Sequence, residues 1–211
     1  DFLSDYTQMD LNDFFDAWIF SPGFRQFSVD SFSVIPEGSD FVVTVHMRQR
    51  LRQAPNYANS NLLELTFMDN NWQQNTQTIH FDGETGNQTF TVPFEPELVL
   101  VDFDEKISDA TTDYHKILYN PGNYSFSNVD FSCIVNALND SAFVRAELHW
   151  VPADNENVAD ENIHLSNYFY WTINAIFPDS SETRGKFSYN FNVSEYYKKK
   201  GNDLLQRGTD T

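Results

Sequence analysis

The chain has 211 residues, enough for one large domain or two small ones, each able to bury a core, and its 40% hydrophobic and 16% aromatic content excludes disorder. With 31 acidic against 13 basic side chains the net charge is −18, a surface that repels phosphate backbones, so nucleic acid is excluded as a partner. No run of about 18 apolar residues occurs, so no helical membrane span is expected, and the opening residues lack the charged-then-apolar pattern of a secretory signal.

The first periodic element is DLNDFFDAWIFSPGF, residues 10–24. Leu11, Phe14, Phe15, Trp18 and Ile19 recur at helical spacing and make one apolar stripe. Asp10 stands where an N-cap belongs, and Ser21-Pro22-Gly23 ends the run. A helix over 10–20 is predicted, too apolar on its wide face to be covered by one contact. Leu11, Phe14, Phe15, Trp18 and Ile19 are therefore candidate interface residues.

Strand-like runs follow: 25–35, 41–51, 62–68, 76–82, 87–92 and 97–103, broken by PEGSD, DNNWQQN, GETG and PFEP. In the second run Phe41, Val43, Val45, Met47 and Leu51 share one face, and His46, Arg48, Arg50 and Arg52 the other. Residues 104–123 lack a clear period and read as a junction. A second β unit is predicted from 123–136, 141–151, 167–177 and 186–193, with an acidic loop at 151–164 and a polar tail. In SAFVRAELHWV, Ala142, Val144, Ala146, Leu148 and Trp150 face one way, and Arg145, Glu147 and His149 the other. The expected fold is all-β: two β-sandwich-like units in tandem, preceded by one short N-terminal helix. The expected divisions are 1–24 for the helical segment, 25–107 for the first sandwich and 108–211 for the second unit with its tail.

The chemistry of a catalytic site is absent from the pattern. None of His46, His80, His115, His149 and His164 begins an HExxH helix, and no two lie within five residues, so zinc-ligand spacing is missing. GxSxG, P-loop and GxGxxG motifs are also missing. The acid-rich stretch 102–113 lacks the pattern of a calcium loop and reads as a solvated connector. Arg48, Arg50 and Arg52 form a basic row whose expected partners are the chain's own carboxylates. Cys133 is the one cysteine and reads as a buried strand thiol. Tyr168 and Tyr170 in NYFYW are a candidate ligand platform, weighed against simple packing; alternation turns Phe169, Trp171 and Ile173 inward. Sequons at Asn87, Asn123, Asn139 and Asn192 arise readily in so Asn-, Ser- and Thr-rich a chain and do not establish a glycoprotein.

Asp10, Leu11, Phe14, Phe15, Trp18, Pro22 and Gly23 resemble the segment that ends the catalytic domain of the aminopeptidase N-like zinc metallopeptidases, where such a helix and Pro-Gly turn lead into a β-sandwich. VTVHMRQ (43–49), with Gln49 in the matching place, is similar to the family's V-x-V-x-Q strand. LLELTFMD (62–69), FDGETGNQTFTVPF (81–94) and LVLVDFDEKI (98–107) resemble the strands and hairpin that follow. SAFVRAELHWVPAD (141–154) resembles a β tail of secreted Bacteroidetes-type members. The resemblance covers roughly residues 5–107. It implies a non-catalytic region that braces a preceding catalytic domain, in a secreted, periplasmic or cell-surface protein. Zinc and the peptidase residues would belong to that preceding domain, so this chain alone is expected to hold no cofactor and to be no enzyme. Its implied partners are that catalytic domain and, through the exposed helix, a second copy of itself. The other reading is a free-standing β-sandwich module that binds glycans or proteins.

Overall fold

The structure is a computed structural model that describes residues 2–7, 11–154 and 165–188. Asp10, the acidic loop from residue 155 with His164, and the segment from residue 189 with Asn192 lie outside the described residues. Strands make up 56% of the structure and helix 10%, so the class is all-β. The chain divides into two compact units, residues 1–110 and 111–211.

The first unit opens with helices α1 (Phe2–Thr7) and α2 (Asn12–Phe15), the second running on into a π-helical turn, Asp16–Phe20. The sequence anticipates only the second. FLSDYT is too short for a period to register, and α1 buries none of its residues. Strands β1 (Phe24–Glu37), β2 (Asp40–Arg52), β3 (Asn61–Met68), β4 (Gln74–Phe81), β5 (Thr85–Val92) and β6 (Leu98–Val101) follow. They pair antiparallel as two sheets, β1-β2-β5 and β4-β3-β6. Phe27, Val43, Val45, Met47, Phe90 and Val92 of one sheet meet Leu63, Leu65, Phe67, Ile79, Phe81 and Val99 of the other. Each such side chain removed from water is worth about 1.5–3 kcal/mol, and together they hold the sheets face to face. The β1–β2 ladder slips between Val29 and Ser31. The extra residue in this bulge is Asp30, whose carboxylate receives Arg48 Nε at 2.6 Å and Arg50 Nη2 at 3.4 Å.

The second unit contains β7 (Thr111–Leu118), β8 (Gly122–Phe126), a 3₁₀ turn (Ser127–Val129), β9 (Phe131–Ala137), β10 (Ala142–His149), β11 (Tyr170–Ile176) and β12 (Glu182–Phe187). Its sheets are β11-β10-β7 and β12-β9-β8. The stretch 104–123 is not all connector, since β7 lies within it. Its TTDYHKIL carries polar groups on both faces, so no alternation shows in the sequence. The run 123–136 is two strands, not one: Asp130, at φ +53°, turns the chain between β8 and β9. Phe126, Phe131, Cys133 and Val135 of one sheet and Leu118, Val144, Ala146 and Leu148 of the other are all buried. Trp171 Nε1 donates to Val129 O at 2.7 Å and its ring lies 5.1 Å from that of Phe187, tying the two sheets together.

Candidate functional site

The apolar stripe of the N-terminal helix is divided by the π-helical turn. A π turn takes more residues than an α turn, so positions that an ideal α-helix would align drift around the axis. Ala17 is buried and Trp18 stacks on Phe27, 6.0 Å between ring centroids, against the core of the first sandwich. Leu11 and Phe15 are half-buried. Phe14, Ile19 and Phe20 are 46%, 59% and 74% exposed. Phe15 joins the exposed rings into one patch, edge-on to Phe14 at 5.5 Å and stacked with Phe20 at 6.2 Å. One side of the helix thus faces the sandwich while a run of aromatic surface is left uncovered.

Arg25, the second residue of β1, fastens this helix. Its guanidinium Nη1 donates to Ala17 O and Nη2 to Asn56 O, the latter at 3.2 Å. The residue is 2% exposed, its Nε has no acceptor, and burial lowers its pKa. Beside it a cavity of about 140 Å3 is lined by Asp13, Asp16, Ala17 and Ser21 from the helical segment, by Arg25, and by residues 56–59 of the β2–β3 loop. Burial and a hydrogen bond with Glu84 push the Tyr57 phenol up. Nothing in the sequence marks Arg25 as buried, because it opens a strand run beside a turn, where an arginine is ordinarily solvated.

A second polar constellation lies on sheet β11-β10-β7. In cross-strand register, Thr111, Asp113 and His115 of β7 flank His149, Glu147 and Arg145 of β10, which are flanked in turn by Tyr170, Thr172 and Asn174 of β11. The outward alternation of β10 predicts a solvated face. Instead Arg145, Glu147 and His149 are 2%, 9% and 3% exposed. Such burial demands pairing. Arg145 Nη2 donates to Asp113, Arg145 Nε lies 3.2 Å from Glu147, and Asn174 donates to Glu147 at 3.0 Å. The His149 ring nitrogens meet Thr111 and Thr172 hydroxyls at 3.3 and 3.0 Å.

Tyr170 belongs to this constellation, its ring stacked on His149 at 4.5 Å, whereas Tyr168 is exposed and precedes the strand. The two tyrosines thus stand in different surroundings. Phe169 is buried and Trp171 half-buried as the alternation predicts, but Ile173 is 37% exposed.

His46 and His80 are exposed on β2 and β4, and those strands belong to different sheets. Among the described residues no group of three or more His, Cys, Asp and Glu could hold a metal ion. In the acid-rich stretch 102–113 the Asp102 carboxylate accepts the backbone N–H groups of Lys106 and Ile107 at 2.8 and 3.0 Å, a turn-capping role. Among the described residues no helix is long and apolar enough to cross a membrane. Comparison of the chain with models of known protein families, with curated proteins and with solved structures finds no match.

Proposed function

We propose that this chain is the non-catalytic β-sandwich region of a zinc aminopeptidase-like protein that works outside the cytoplasm, and that helix α2 with its π turn docks the catalytic domain preceding it in the polypeptide. The observation that carries this reading is the division of the helix: Ala17 and Trp18 are committed to the sandwich, while Phe14, Ile19 and Phe20 stay exposed. The helix runs directly into β1, so a domain ahead of it would meet this surface first. Covering these side chains would yield roughly 1.5–3 kcal/mol each before association costs, a scale suited to an interdomain contact. The sandwich would then brace the catalytic domain, and the second unit would serve packing or surface association.

Sedimentation of the chain beside a variant lacking residues 1–20 tests the docking surface, with binding of the dye ANS as a second readout. Uncovered, the aromatic patch should drive self-association and dye binding that the truncation removes. Two monomers with equal dye binding would sink the idea. The reading frame upstream in the gene should also encode an HExxH helix with a further Glu.

A further inference from the structure

We propose that the open edge of β1, from Ser31 to Pro36, receives an extended segment of a partner protein, one with alternating apolar residues and cationic ends. The site is independent of the docking role of the helix. Among the described strands β1 is the last of its sheet. Gln49 N donates to Glu84 O on the β5 side, so by alternation Met47, Val45 and Val43 also turn their N–H and C=O groups to β5. His46, Thr44 and Val42 turn theirs to Ser31, Ser33 and Ile35 of β1. Phe32 and Val34 therefore direct their N–H and C=O groups away from β2, and among the described residues nothing pairs with them. A strand laid beside β1 would complete this ladder.

The rest of this edge is occupied. Arg25 O accepts Ala110 N at 2.6 Å, and Phe27 O accepts Gln26 Nε2 at 2.6 Å. On β4 and β5, side chains cap edge groups in the same way: Gln88 Oε1 accepts His80 N at 3.1 Å, and Gln77 Nε2 donates to Thr91 O at 2.8 Å. The bulge at Asp30 and Pro36, which lacks an N–H, bound the open stretch and limit it to a short partner strand. Phe32 and Val34 pack on the core yet are only half-buried, so the partner's side chains on that face are apolar. Those on the other face lie beside exposed Ser31 and Ser33 and are polar. Charge fixes the ends. Glu37 and Asp40 oppose each other across the hairpin end, both exposed and, among the described residues, without an ion pair. A cation there relieves their repulsion, whereas a second copy of this chain would bring another net charge of −18.

Titration of the full chain with a capped peptide, Lys-Val-Thr-Val-Thr-Val-Lys in sequence, reads the site by amide NMR and hydrogen exchange. Saturable shifts are expected from Ser31 to Ile35, with the amides of Phe32 and Val34 exchanging quickly in the free chain and slowly in the complex. The same peptide N-methylated at its valines, and one with glutamates for the lysines, should each bind at least about tenfold more weakly. Val34→Pro removes an edge N–H that makes no bond within the chain, so the β1–β2 ladder stays and peptide binding is lost. Unchanged amide shifts on β2 and β5 check that this variant is folded, and the N-methylated peptide tests the edge without any substitution. No saturable response overturns the proposal, and so does equal binding of the N-methylated peptide or of the glutamate peptide. Protection of Phe32 and Val34 that grows with protein concentration in the absence of peptide shows pairing with a second copy and overturns the choice of partner.

Discussion

Gln49 and Ala58 exchange two hydrogen bonds: Ala58 N donates to Gln49 Oε1 at 2.7 Å, and Gln49 Nε2 donates to Ala58 O at 3.0 Å. The same Nε2 also reaches Gly83 O at 2.8 Å, and Gly83 N donates to Ala58 O at 3.1 Å. A single buried side chain amide on β2 therefore pins the β2–β3 loop to the β4–β5 turn. The loop it holds is the one that lines the Arg25 cavity. Gln49→Ala leaves the buried amide of Ala58 without its acceptor, a loss of about 1–3 kcal/mol for that group alone. Urea denaturation should show the drop in midpoint, and hydrogen exchange at Ala58 should speed up. An unchanged exchange rate would mean the loop is held by other contacts.

Gly23 closes the helical segment at φ +80°, and a Cβ there would meet Ala54 N at 2.4 Å and Arg52 O at 2.6 Å. Gly38 is also left-handed, at φ +65°, but a Cβ there meets nothing within 4 Å. Gly38→Ala should cost about 1 kcal/mol from backbone strain, and Gly23→Ala clearly more, because backbone must also move. Thermal melting of the two variants side by side checks the order.

Arg145 and Asp113 form a buried ion pair, 2% and 9% exposed at their side chains. Asp113→Ala removes one of the two carboxylates that face Arg145 and leaves Glu147 with it, so it should destabilise the chain by about 1.5–3 kcal/mol, the scale of a buried hydrogen bond to a charged group. Asp30→Ala breaks the half-exposed pairs with Arg48 and Arg50 and should cost about 1 kcal/mol or less. Comparable losses in the two variants would mean that water reaches Arg145.

Trp18 and Phe20 separate the two sides of the helix. Trp18→Ala removes the ring stacked on Phe27 and should lower stability by about 2 kcal/mol, whereas Phe20→Ser should leave it within about 0.5 kcal/mol and reduce ANS binding. Chemical denaturation with dye binding distinguishes them, and equal destabilisation would place Phe20 in the core.

Cys133 is 3% exposed on β9, and burial pushes its thiol pKa up. A raised pKa means less thiolate at any given pH below it, and sterics add to that. At pH 8 a thiol reagent should leave the native chain unmodified on the time scale of minutes and react fully once the chain is unfolded. Fast native labelling would show that the β9 face opens.

Much of the first unit is legible in the residues themselves. The two-residue alternation of Val43, Val45 and Met47 places them inside, because a strand can bury only one side at a time against a single neighbour. Turn residues mark most of the strand ends, and Gly23 and the Pro-Gly turn mark the end of the helix. Residue spacing also sets the apolar stripe from Leu11 to Ile19. What it leaves open is which part of that stripe meets the sandwich, since that rests on the distant partners Phe27, stacked on Trp18, and Arg25, bonded to Ala17 O. Gln49 and Arg25 read as ordinary polar strand residues; their burial depends on a loop 9 and 31 residues away in the chain. The strongest departure is β10. Arg145, Glu147 and His149 alternate like a solvated face, and only their cross-strand neighbours Asp113, Thr172 and Asn174 supply the charges and hydroxyls that let that face be buried. Periodicity is a local property of the chain and survives in the sequence. Pairing between distant polar groups is decided when the strands come into register.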